Sequence, residues 1–98
     1  MKVEYKNKKI EKLCTDPAVA EKKYGQTMAA KIKQRINEIK ASDTVEFMMK
    51  YHIGRCHKLQ GNRKNQYSMD LVHPQRLVFE KNGTEIQIAC IIEIVDYH

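Results

Sequence analysis

The chain has 98 residues, 42% of them hydrophobic and 31% charged, with 18 Lys and Arg against 12 Asp and Glu, a formal net charge of +6. That length supports one domain, residues 1–98, with one modest core, and an apolar fraction near the globular average excludes a disordered chain. No apolar run approaches the ~18 residues of a membrane span, and Met1-Lys2-Val3-Glu4-Tyr5-Lys6 holds no apolar signal core, so the expectation is a cytoplasmic protein, neither secreted nor membrane-inserted.

Charge is unevenly spread. Residues 1–49 carry 11 basic and 7 acidic side chains, residues 50–81 carry 7 and 2, and residues 82–98 carry 0 and 3. The densest surplus therefore lies in the middle third, and it favours an anionic partner.

In chain order, residues 2–6 alternate weakly, with Val3 and Tyr5 on one face, and predict a short edge strand. Ile10, Leu13 and Cys14 predict one or two helical turns. Asp16-Pro17 is a helix start, because proline lacks an N–H that the first helical position does not use. Tyr24, Met28, Ile32, Ile36 and Ile39 then recur every three or four residues as one apolar stripe. The expectation is one amphipathic helix of roughly 20 residues or more, with Gly25 as its weak point. Asp43 and Glu46 resemble a capping box opening a short helix that Gly54 ends.

After Gly54 the period changes to alternation. Residues 55–60 predict a strand with Cys56 and Lys58 on one face and Arg55, His57 and Leu59 on the other. A polar loop follows at residues 61–65. Tyr67, Met69 and Leu71 alternate with polar partners, His73-Pro74-Gln75 turns the chain, and Leu77 and Phe79 begin another strand. Asn82-Gly83 predicts a tight hairpin turn. Residues 85–95, rich in Ile, Val, Ala and Cys, predict a central strand covered on both faces. The fold class expected is α+β, with N-terminal helices packed on a small, mainly antiparallel sheet.

No P-loop, dinucleotide fingerprint, serine-hydrolase elbow or zinc-protease motif is present. Cys14, Cys56 and Cys90 are odd in number and widely spaced, and read as reduced thiols. His52, His57, His73 and His98 lack metal-ligand spacing, so neither a metal nor a cofactor is expected. A different chemistry suits His57, Arg76, Asp96, Tyr97 and His98. Cleaving RNA through its own 2′-hydroxyl needs a base, an acid for the leaving 5′-oxygen, and cations around the phosphorane. Histidine fills the first two roles near neutral pH, and arginine offers a fixed fork of donors to phosphate. Taken singly, His57 also reads as a half-buried strand residue, Arg76 as a surface charge, and Arg63 and Lys64 as solvated loop charges.

The blocks His57-Lys58-Leu59-Gln60-Gly61-Asn62-Arg63, Tyr67-Ser68-Met69-Asp70-Leu71, Gln75-Arg76-Leu77-Val78-Phe79 and Glu93-Ile94-Val95-Asp96-Tyr97-His98, in this order, resemble the HigB-like killer proteins of bacterial toxin–antitoxin systems, within the RelE/ParE toxin superfamily. The resemblance covers about half the chain closely. It implies a RelE-like toxin that enters the ribosome and cuts translated mRNA, an endoribonuclease. By similarity His57, Asp96, Tyr97 and His98 form the acid–base cluster, Arg76 stabilises the scissile phosphate, and Lys58, Arg63 and Lys64 hold RNA backbone. The partners implied are a helix-turn-helix antitoxin of the HigA kind, the ribosome and mRNA, and operator DNA through the antitoxin complex. Tyr67 stands where many relatives carry tryptophan, a difference in packing. Residues 1–50 hold no motif that separates killer proteins from ParE-like gyrase inhibitors, which lack nuclease activity, so that alternative stays open, as does a basic module that only binds nucleic acid.

Overall fold

The computed structural model describes residues 1–96. Its elements are β1 (Lys2–Tyr5), α1 (Lys8–Thr15), α2 (Pro17–Tyr24), α3 (Gln26–Ala41), α4 (Val45–Lys50), a 3-10 turn (Ile53–Arg55), β2 (His57–Lys58), β3 (Gln66–Asp70), β4 (Gln75–Asn82) and β5 (Ile88–Asp96). The strands form one sheet in the order β1-β5-β4-β3-β2, antiparallel except for the parallel β1–β5 pair. With the helices packed on one face of this sheet, the α+β class expected from the sequence is the one observed.

Helices α1, α2 and α4 begin where a side chain satisfies a free N–H group. Asn7 accepts from the Ile10 N–H at 2.9 Å to open α1, and Asp16 accepts from the Ala18 N–H at 3.0 Å with Pro17 in the first turn of α2. The single long helix expected from the apolar stripe is two helices. Gly25 takes φ +91°, a conformation that side chains with a Cβ rarely adopt, and so ends α2 and starts α3 in a new direction. The stripe itself holds, since Met28, Ile32, Ile36 and Ile39 are all buried.

The next helix also departs from expectation. Thr44, not Asp43, is its cap, accepting from the Phe47 N–H at 3.1 Å. Glu46 does not close a capping box. It reaches the sheet instead, where it accepts from Gln87 Nε2 at 2.7 Å and from Lys81 Nζ at 3.2 Å. The helix ends at Lys50, before Gly54, which lies inside the 3-10 turn.

Three strand expectations are corrected as well. The strand predicted over residues 55–60 shortens to His57–Lys58, because Arg55 sits at φ +51° and cannot pair as a strand residue. The tight Asn82-Gly83 turn is a longer connection: Asn82 still pairs with Ile88, and residues 83–87 form the loop. Gln87 accounts for this, since its side chain accepts from the Val45 N–H at 2.8 Å and ties the loop to α4. The last strand therefore starts at Ile88 rather than residue 85, leaving Ile86 exposed. It lies inside the sheet, yet the helices cover only one of its faces.

Alternation along the strands divides the sheet. Tyr67, Met69, Leu77, Phe79, Ala89 and Ile91 are buried against the helices, with Tyr67 and Phe79 stacked at 5.6 Å between ring centroids. Between Val78 and Phe79 the register of β5 shifts by one residue, so that Phe79 faces Ile91 while Val78 faces Glu93. This β-bulge keeps Ile94 in phase with Leu77 on the helix side and turns Glu93 to the other face. Register then places His57, Ser68, Val78 and Glu93 in one row of the open face, with Asp70, Arg76 and Val95 in the next row.

Candidate active site

Three of the residues expected to act together line one open depression of about 380 Å³: His57, Arg63 and Arg76, with Leu59 and Gln60 completing its wall. They come from β2, the β2–β3 loop and β4, and the antiparallel pairing of β2, β3 and β4 is what gathers them.

Each is held. The Nδ1–H of His57 donates to the Arg55 carbonyl at 2.8 Å, and because a carbonyl only accepts, the neutral ring keeps Nε2 as its acceptor nitrogen. Arg76 places Nη1 3.2 Å from Asp70 Oδ1, its cross-strand neighbour. Arg63 donates from Nε to Gln66 Oε1 at 2.8 Å and from Nη2 to Glu93 Oε1 at 2.5 Å. Its side chain thus reaches from the loop across β3 and β4 to β5. The sequence had offered Arg63 as a loop charge. Here it straps the loop to the sheet.

Asp70 is a residue that sequence reasoning missed. Arg55 Nε donates to its Oδ2 at 2.5 Å and Arg55 Nη2 to its Oδ1 at 3.3 Å, the oxygen that Arg76 also contacts. Burial pushes the Asp70 carboxyl towards its neutral form, but the hydrogen bond from Arg55 and the nearby charges of Arg55, Arg76 and His57 outweigh burial and hold it below the usual carboxylate range. Asp70 is therefore an anion at neutral pH. Arg55 and Glu93 were missed too, and only the observed register could have paired them with Asp70 and Arg63.

The remaining expected residues fall elsewhere. Lys58 pairs with Tyr67 and so belongs to the helix-side phase, away from His57. Lys64 is exposed in the loop. Asp96 pairs with Gln75, one residue before Arg76, and shares the phase of Leu77. Tyr97 and His98 lie outside the described residues. Among the described residues, no three His, Cys, Asp or Glu side chains gather where they could hold a metal ion. The depression can offer an imidazole in a set tautomer and guanidinium forks, which together suit an anionic substrate with a hydroxyl to deprotonate.

Helices on one face of a five-stranded sheet, with a cationic depression on the other, define the fold class to which the chain can be compared. Among solved structures, a YoeB/ParE toxin from Agrobacterium tumefaciens matches with a TM-score of 0.69 over 100% of both chains, at 18% sequence identity. At that identity the likeness is one of fold. No family model matches the chain, and no curated protein matches it in sequence. Among the described residues, no helix is long and apolar enough to cross a membrane.

Proposed function

We propose that the chain is the toxin of a type II toxin–antitoxin system, of the HigB-like killer kind, and a ribosome-dependent endoribonuclease that cuts translated mRNA. The observation that carries this reading is the convergence of His57, Arg63 and Arg76 on one depression. The fold shared with a YoeB/ParE toxin supports it.

In this mechanism His57 Nε2 takes the proton from the ribose 2′-hydroxyl, and the 2′-oxygen attacks the adjacent phosphorus. The bond to the 5′-oxygen breaks, and that oxygen takes a proton from an acid. The products are a 2′,3′-cyclic phosphate and a 5′-hydroxyl. Arg76 neutralises the charge that grows on the phosphorane oxygens. In this reading Tyr97 and His98, which follow β5, supply the acid, and Arg63 and Lys64 hold RNA backbone. The partners are a helix-turn-helix antitoxin, operator DNA through that complex, and the ribosome in the cytoplasm.

A second reading follows from the ParE half of the neighbour's description: a gyrase inhibitor that leaves RNA intact. Primer extension on transcripts after induction separates the two. The nuclease reading expects new 5′ ends within translated codons, and loss of those ends and of growth arrest in soluble His57→Ala and Arg76→Ala variants, with cleavage down about 10²–10⁴-fold. Growth arrest with intact transcripts, or unaltered cleavage by the double variant, would overturn it.

A further inference from the structure

Three arginines from three separate elements converge on Asp70. Arg35 of α3 donates from Nε to the Asp70 carbonyl at 2.6 Å, while Arg55 of the 3-10 turn and Arg76 of β4 share its carboxylate. Arg35 is itself largely buried and pinned by Glu38, 2.8 Å from Nη1. It runs so close to Gly54 that a Cβ there would stand 2.7 Å from Arg35 Nε, so the glycine keeps the route open. The Asp70 backbone is thereby fixed from behind, and its side chain is presented on the open face.

From that anchor the contacts branch. One branch goes straight to the Arg76 guanidinium. The other goes through Arg55, whose carbonyl receives the Nδ1–H of His57. Arg55 sits at φ +51°, a left-handed conformation that a side chain with a Cβ resists, and its carbonyl meets the ring from that strained position. The two oxygens of one carboxylate thus restrain both the fork meant for phosphate and the residue that sets the imidazole tautomer.

We propose that Asp70 is the positioning residue of this site, fixing Arg76 directly and His57 through Arg55. The inference rests on the RNA-cleavage reading for its kinetic consequence, but not for its effect on the ring. A carboxylate is needed because both partners are cationic donors. Asparagine would accept with one atom only and turn an N–H₂ group towards a guanidinium.

The test compares Asp70→Asn and Arg55→Ala with the unaltered full chain, using ribosome-bound mRNA as substrate and the ¹⁵N shifts of the His57 ring as a second readout. Asp70→Asn should lower kcat about 10–100-fold with little change in KM, because misplacement of reacting groups slows the chemical step. It should also convert the ring from the Nδ1–H form to a mixture of tautomers. Arg55→Ala, which cuts only the His57 branch and removes an exposed side chain, should give the same tautomer change with a smaller loss of kcat. A folded Asp70→Asn protein with the wild-type ring signature and kcat within two-fold would overturn the proposal and leave Asp70 a structural staple. Should Asp70→Asn fail to fold, an unaltered ring and rate in Arg55→Ala overturns it equally. If wild type cuts no RNA while the ring still responds to Asp70, the nuclease reading fails and the His57 branch of the proposal stands.

Discussion

On β4, Leu77 and Phe79 point to the helices and are completely buried, whereas Arg76 and Glu80, from the same strand, point the other way and stay partly exposed. The helix face is apolar and closed by four helices; the open face is bound together by ion pairs, Arg55–Asp70–Arg76 at one place and Arg63–Glu93 at another. Burial stabilises the first, at ~25 cal/mol per Å² of apolar surface. Partly exposed ion pairs contribute about 1 kcal/mol or less apiece to stability, so the second face adds little to folding and is organised by geometry. Val78 and Ser68 are the exceptions, both fully buried although they lie on the open side. Among the described residues, the Ser68 hydroxyl has no hydrogen-bond partner.

The sharpest way to break this division is to exchange its two sides. Phe79→Ala removes a ring stacked on Tyr67 and leaves a cavity in the core, which costs about 3–5 kcal/mol. For a domain whose whole stability is about 5–15 kcal/mol, much of the margin goes. Arg76→Ala, three positions away, should shift stability by about 1 kcal/mol and, on the proposed function, lower RNA cleavage by about 10²–10⁴-fold. Urea unfolding followed by circular dichroism checks both. Equal losses of stability in the two variants would show that the faces are not divided in this way.

A smaller effect concerns pH. Because the folded Asp70 carboxyl is held below its ordinary value of 3.8, it stabilises the fold above that range, and the stabilisation is lost as pH falls through the folded pKa. Wild type should therefore exceed Asp70→Asn by about 1 kcal/mol at pH 7, a partly buried pair lying at the upper end of the surface range. The gap should narrow as the pH falls below the ordinary carboxylate value of 3.8 and through the lower folded one. A gap of constant size from pH 7 to pH 2.5 would mean that the carboxylate charge contributes nothing and only the side-chain shape matters.

How far the sequence reached follows the same division. Periodicity reports which residues are buried, so the α3 stripe and the alternation of Tyr67, Met69, Leu77 and Phe79 were legible directly. Pairing was not. That His57 faces Ser68 and Asp70 faces Arg76 depends on where each strand begins, and a single positive φ at Arg55 moved the start of β2 by two residues. Gly25 was flagged as weak, but whether a glycine bends a helix or divides it depends on its φ, which no spacing reveals. Glu46 had two possible partners, its own helix end or Lys81 and Gln87, and only the folded chain brings the second pair near. His57 and Arg76 were nameable from what an imidazole and a guanidinium can do at a phosphate, and Arg63 from the resemblance. Asp70 was not, because its meaning comes from three arginines far apart in the chain.

The cysteines offer the gentlest probe of the two faces, since labelling them changes neither fold nor charge pattern at the outset. Cys56 is buried in the core, and burial pushes its thiol up to about 12; Cys14, on α1 and partly buried against the core, is raised to about 12 by the same cause. Cys90 pairs with Glu80 and Glu4 and so belongs to the open phase, where burial, followed by the charges of those carboxylates, also raises its pKa. All three are poor thiolates at pH 8, and access decides the order. Native protein treated with iodoacetamide should therefore label slowly, at Cys90 first, at the partly buried Cys14 next, and at Cys56 only on unfolding, as peptide mass mapping will report. Early labelling of Cys56 in folded protein would mean that the helix face opens readily, and the closed side of the comparison would no longer hold.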